Sequence, residues 1–130
     1  MPIAPNLMKQ KLTRGELVIG LGVRHMQSVE IGMIAKAAGF DFLFIDREHS
    51  TLEMSRAGDI CTAALGQGVT PLVRVPGPEP FHCVPFLDSG VQGIVVPHVE
   101  TSEDAAAMIH NQKFPPLGAR SMSRSSAMTG

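Results

Sequence analysis

Four ionisable residues stand together at Asp46-Arg47-Glu48-His49, directly after the apolar run Phe42-Leu43-Phe44-Ile45. An unbroken apolar run of strand length reads as a strand buried on both faces. Charges at its C-terminal end are costly as core. They are well placed for chemistry, because ligands of parallel α/β folds bind at that end of the strands. Histidine suits general base work near neutral pH, since its ordinary pKa is about 6.5, which makes His49 the candidate base. Such a base needs a carboxylate to fix its tautomer and raise its basicity. Asp46, Glu48 and Asp88 are the candidates. A solvated charged loop is the competing reading of the same residues.

Arg74 ends another apolar stretch, Thr70-Pro71-Leu72-Val73. A guanidinium at the end of a buried strand needs a partner. Its planar fork suits a carboxylate or an enolate oxygen, and a structural ion pair with Asp46 or Glu48 is the alternative. Asp88 lies near a helix end, where an aspartate is usually a surface residue. His98 and His25 each follow a strand and are read as loop histidines, although His98 could line the pocket. His82 and His110 fall on helices and carry no signal. No pair of His, Asp, Glu or Cys has the spacing of a complete metal site. Gly20-Leu21-Gly22 lacks the third glycine of a dinucleotide loop.

The elements that must carry these residues alternate strand and helix. Strands are expected at residues 17–23, 42–45, 70–75 and 93–96, and helices at 28–38, 52–65, 79–88 and 102–109. Ser50 or Thr51 is the expected cap of the second helix, and Ser102 that of the fourth. Three times a helix ends in glycine before an apolar residue and a strand, at Gly39, Gly68 and Gly90. Glycine takes the left-handed conformation that closes a helix at low cost. Repeated βα units build a parallel sheet through right-handed crossovers. Four units are visible, whereas an eight-unit barrel needs about 250 residues. The fold expected is therefore α/β, the N-terminal half of a (β/α)₈ barrel in one domain over residues 1–130, with the chain cut short. A complete small α/β domain is the alternative.

Composition narrows the functional classes. Apolar residues make up 44% of the chain, charged residues 18%, and the net charge is −1. No Trp or Tyr is present for base stacking and no basic block exists, so nucleic acid is not expected as a partner. No apolar run approaches the ~18 residues of a membrane span, and the first fifteen residues lack the apolar core of a signal peptide. Cys61 and Cys83 form no metal or disulfide pattern and are read as reduced thiols of a cytoplasmic protein.

Several short motifs, in order, resemble the HpcH/HpaI family of class II pyruvate aldolases. They are Ile19-Gly20-Leu21-Gly22, Ala38-Gly39-Phe40-Asp41-Phe42, Asp46-Arg47-Glu48-His49, Leu72-Val73-Arg74-Val75, Leu87-Asp88-Ser89-Gly90, Val95-Val96-Pro97 and Phe114-Pro115-Pro116-Leu117-Gly118-Ala119-Arg120. The resemblance implies a (β/α)₈ barrel in a homo-oligomer that exchanges a C-terminal helix. It implies cleavage of 4-hydroxy-2-oxo acids to pyruvate and an aldehyde, with a divalent metal (Mg, Mn or Co) holding the oxo acid. His49 falls on the family's base, Asp88 on the partner that raises its basicity, and Arg74 on the arginine that stabilises the pyruvate enolate.

The chemistry fits those residue types. Retro-aldol cleavage removes the C4 hydroxyl proton and leaves negative charge on the C2 oxygen, which a fixed cation stabilises. No lysine ends the second, third or fourth strand, which disfavours a Schiff-base aldolase. The sequence also departs from the family. The metal ligands are expected beyond residue 130, and Glu100 and Asp104 do not replace them. Arg47 stands where relatives often carry a small or apolar residue, and Ser121 where a glycine is expected. A non-catalytic α/β binding or assembly module derived from such an aldolase is the second reading. A lyase acting on acyl-CoA thioesters ranks third.

Overall fold

The order of elements in the computed structural model, which describes residues 4–121, is helix first and then four strand–helix units. Helix α1 spans Leu7–Thr13, β1 Gly20–Val23, α2 Ile31–Ala37, β2 Phe42–Asp46, α3 Met54–Gly66, β3 Thr70–Arg74, α4 Pro80–Asp88, β4 Gly93–Val95 and α5 Ser102–Gln112. The strands lie in the order β1-β2-β3-β4 and every pair is parallel. A sequential parallel order with helical crossovers of one hand keeps the helices on one face, as in a barrel wall.

Three helices close where a glycine stands. Gly39, Gly68 and Gly90 follow α2, α3 and α4 with φ of 84°, 72° and 90°. The caps differ from expectation. Glu53, not Ser50 or Thr51, precedes α3 and makes no side-chain capping bond. Ser50 instead turns its hydroxyl back to the carbonyl of Asp46. Thr101, not Ser102, caps α5, in a reciprocal box with Asp104. Helix α1 was not expected at all; it buries no residue of its own.

The period of two along β2 sorts its side chains. Leu43 and Ile45 face the helices and are fully buried with Ala35, Ile60, Cys61, Ala64, Val73, Val75 and Phe86. Each such aliphatic side chain contributes about 1.5–3 kcal/mol by leaving water. Gly32 lets α2 approach α3, because a Cβ there would stand 2.8 Å from Ala64 Cα. Phe42, Phe44 and Asp46 alternate with Leu43 and Ile45, so they point to the opposite face. There Leu72 lies over Gly93, whose absent Cβ would meet Leu72 Cδ2 at 2.5 Å.

Helix α1 ties down the N-terminal ends of the strands. Lys11 Nζ bonds Asp41 Oδ1 at 2.6 Å, Met8 N–H donates to Thr70 Oγ1 at 3.3 Å, and the Asn6 amide donates to the Gln92 carbonyl at 3.3 Å. The opposite rim, where the strands end, carries the ionisable residues.

Candidate active site

β2 and β3 end side by side, with Asp46 in register with Arg74. Both side chains lie on the face away from the helices, and Arg74 grips Asp46 with two parallel bonds. Its Nε donates to Oδ1 at 3.0 Å and its Nη2 to Oδ2 at 2.7 Å. Asp46 Oδ1 also accepts the backbone N–H groups of Glu48 at 3.0 Å and His49 at 3.2 Å. This folds the loop after β2 around the carboxylate. The Arg74 guanidinium, aided by those backbone donors and opposed by burial, lowers the Asp46 pKa to about 2. The same pair raises that of Arg74.

Glu48 is the hub of the rim. Its side chain is only 11% exposed. Oε2 lies 3.2 Å from Arg74 Nη1, and Oε1 faces two imidazoles, His98 Nε2 at 3.0 Å and His49 Nε2 at 3.6 Å. Arg24, just past β1, donates through Nη2 to the His49 carbonyl at 3.1 Å and lies 3.5 Å from Asp46 through Nε. Two guanidiniums thus balance two carboxylates. Two N–H groups of the Arg74 fork bond Asp46, and the guanidinium also pairs with Glu48 through Nη1.

The structure brings His49 and Arg74 to one rim, with His49 59% exposed. The ion pair of Arg74 with Asp46 and Glu48 is present, and it holds the guanidinium in place. Asp88 does not share that rim, which corrects the expected grouping of the three. It is the last residue of α4. The chain then turns so that Gln92 N–H meets the carbonyl of Pro71, near the start of β3. Helix ends lie opposite strand ends in a βα unit. There Arg120 Nη2 donates to Asp88 Oδ1 at 2.5 Å, and the Arg120 guanidinium covers the Phe114 ring at 4.6 Å.

Arg47 does not enter the pocket either. By the alternation of the strand it follows Leu43 and Ile45 to the helix side. Its Nε donates to the Leu52 carbonyl at 2.8 Å and its guanidinium sits 5.8 Å from the Phe86 ring centre. His98, a histidine of the loop after β4 that could line the pocket, contacts Glu48 across fifty residues of sequence. Its place directly after β4 was the available signal.

Among the described residues no three His, Cys, Asp or Glu side chains are grouped so as to hold a metal ion. Asp46 and Glu48 are taken up by guanidinium and N–H donors. The described donor set does not make a metal site by itself. Nor is any helix among these residues long and apolar enough to cross a membrane.

Comparison with known proteins places this geometry. The family model described as HpcH/HpaI aldolase/citrate lyase matches residues 24–129. A 4-hydroxy-4-methyl-2-oxoglutarate aldolase of Hapsidospora irregularis is 44% identical over 122 residues, covering 90% of this chain and 44% of its own. A hydroxypyruvate/pyruvate aldolase of Roseobacter denitrificans is 35% identical over 120 residues, covering 92% of this chain and 46% of its own. The solved HpcH/HpaI aldolase of Desulfitobacterium hafniense superposes with a TM-score of 0.84 at 30% identity, over 89% of this chain and 45% of that one. The chain spans a little under half the length of these relatives. Its four parallel βα units correspond to the N-terminal half of their barrel, and the chain belongs to the HpcH/HpaI aldolase/citrate lyase family.

Proposed function

We propose that this rim belongs to a carbon–carbon lyase that cleaves 4-hydroxy-2-oxo acids to pyruvate and an aldehyde. The observation that carries this reading is Arg74, held by Asp46 and Glu48 on the same rim as His49. His49 takes the C4 hydroxyl proton, and the C3–C4 bond breaks to release the aldehyde. The electron pair passes to the C2 oxygen of the pyruvate enolate, where the Arg74 guanidinium meets it. A preorganised donor aimed at developing charge is worth about 10²–10³ in rate. Protonation at C3 completes pyruvate.

Family membership supports a divalent metal as the cofactor, one that would polarise the oxo acid when bound. The family resemblance puts its ligands beyond residue 130. Asp88 is assigned to the base of a neighbouring subunit in a homo-oligomer, since it ends α4 on the side away from the rim of its own chain.

The test is release of pyruvate from a 4-hydroxy-2-oxo acid, followed by reduction with lactate dehydrogenase. The protein should release pyruvate and aldehyde in equal amounts, and His49→Ala should lose that activity while keeping its circular dichroism. Undiminished turnover by His49→Ala would sink the assignment.

A further inference from the structure

We propose that His98 is a positioning residue that holds Glu48 away from His49 and so keeps the His49 Nε2 lone pair open for proton transfer. This rests on the reading of His49 as the base. Glu48 Oε2 is anchored on Arg74 Nη1 at 3.2 Å, which leaves Oε1 to swing. Two Nε2 atoms lie near it, His98 at 3.0 Å and His49 at 3.6 Å. Only the first is within hydrogen-bonding distance. A carboxylate accepts and does not donate, so the proton of this bond sits on His98 Nε2. His49 Nε2 lies just outside the bond. Were Glu48 to close on it, that nitrogen would have to carry the proton, and the lone pair of the neutral ring would move from Nε2 to Nδ1.

The backbone supports the assignment. His98 has φ of +58°, in the left-handed region that few non-glycine residues adopt. Such conformations persist where the surroundings hold them, and they cluster at functional sites. Here the turn after β4 carries the His98 ring to a residue of the β2–α3 loop. The charged groups that face Glu48 are Arg74 from β3, His49 from its own loop and His98 from the β4–α5 loop. Those that hold the His49 backbone are Arg24 and Asp46. Of these, His98 alone contacts Glu48 Oε1 as a hydrogen-bond donor.

The experiment compares His98→Ala and His98→Gln in the full chain, using imidazole ¹⁵N resonances to read the His49 tautomer. In His98→Ala, Glu48 turns to His49, and the Nε2–H tautomer of His49 gains population. In His98→Gln the amide replaces the lost donor and the parent spectrum returns. Adding Glu48→Gln to His98→Ala abolishes the change. In turnover, kcat of His98→Ala falls about 10-fold or more, as misplacement near the chemistry does, with KM within about twofold of the parent. His49 resonances unmoved by His98→Ala, or moved equally by His98→Gln, would overturn the proposal. Absence of turnover in the parent would contradict the lyase reading alone, because the resonance test needs no substrate.

Discussion

Arg74 and Asp46 meet at the ends of adjacent strands through two bonds of 3.0 and 2.7 Å. This pairing ties the fold to the site. The carboxylate that fixes the guanidinium also gathers the N–H groups of Glu48 and His49. One buried charge therefore fixes both the Arg74 guanidinium and the backbone that carries His49.

Stability should report this pair. The Asp46 pKa falls from 3.8 unfolded to about 2 folded. A depressed carboxyl contributes stability that is present above the unfolded pKa and lost as pH falls through the folded one. The contribution is about 2 kcal/mol. Urea midpoints should hold from pH 7 down to about 5, then fall between pH 4 and pH 2. Asp46→Asn should lower the midpoint at pH 7 and flatten that acid decline. An unchanged acid profile in Asp46→Asn would show that the pair does not carry it.

Gly32 tests the packing behind the sheet. An Ala there gains about 1 kcal/mol of helix propensity, but its Cβ would stand 2.8 Å from Ala64 Cα, a backbone atom that cannot step aside cheaply. Overpacking costs about 1–3 kcal/mol, so Gly32→Ala should lower the melting temperature. Gly22→Ala meets nothing within 4 Å and should leave it unchanged. Equal melting temperatures for the two variants would refute the close α2–α3 contact.

The thiols should be inert in the native protein. Burial pushes Cys61 up to about 12 and raises Cys83 as well. The thiolate is the reactive form. Ellman's reagent at pH 8 should therefore find almost no thiol in the folded chain and both thiols in urea. Rapid native labelling would contradict the burial of both side chains.

Asp88 makes a separate claim on assembly. His49→Ala and Asp88→Ala are each expected to be inactive. Mixed and refolded together, they should regain part of the parent activity, since some interfaces then pair an intact His49 with an intact Asp88. No recovery in verified hetero-oligomers would remove Asp88 from the base of a neighbour.

Much of the scaffold was legible because parallel strands leave apolar runs and helix ends leave glycines. Phe42 to Ile45 and the turns at Gly39, Gly68 and Gly90 are instances. Helix α1 was not, since it buries none of its residues and so shows no apolar stripe. His49 and Arg74 were legible from their places after apolar runs. The Glu48–His98 contact was not, because it joins two loops fifty residues apart. The place of Arg47 was not legible from its run of charges. Its odd position in the strand's alternation sends it to the helix side, towards Phe86. Asp88 was one of three candidate carboxylates, its role as partner of the base came only from the family resemblance, and a helix end could not reveal which rim it lies on.

The enolate can be watched directly. Pyruvate in D₂O, with protein and a divalent metal, should exchange its methyl protons, seen as loss of the methyl signal in proton NMR. Arg74→Lys presents a point charge in place of a planar fork and cannot span Asp46 and Glu48 as the guanidinium does. Its exchange rate should fall about 100-fold or more while the fold survives. Exchange at the parent rate in Arg74→Lys would contradict the central claim that this rim is built to stabilise the pyruvate enolate.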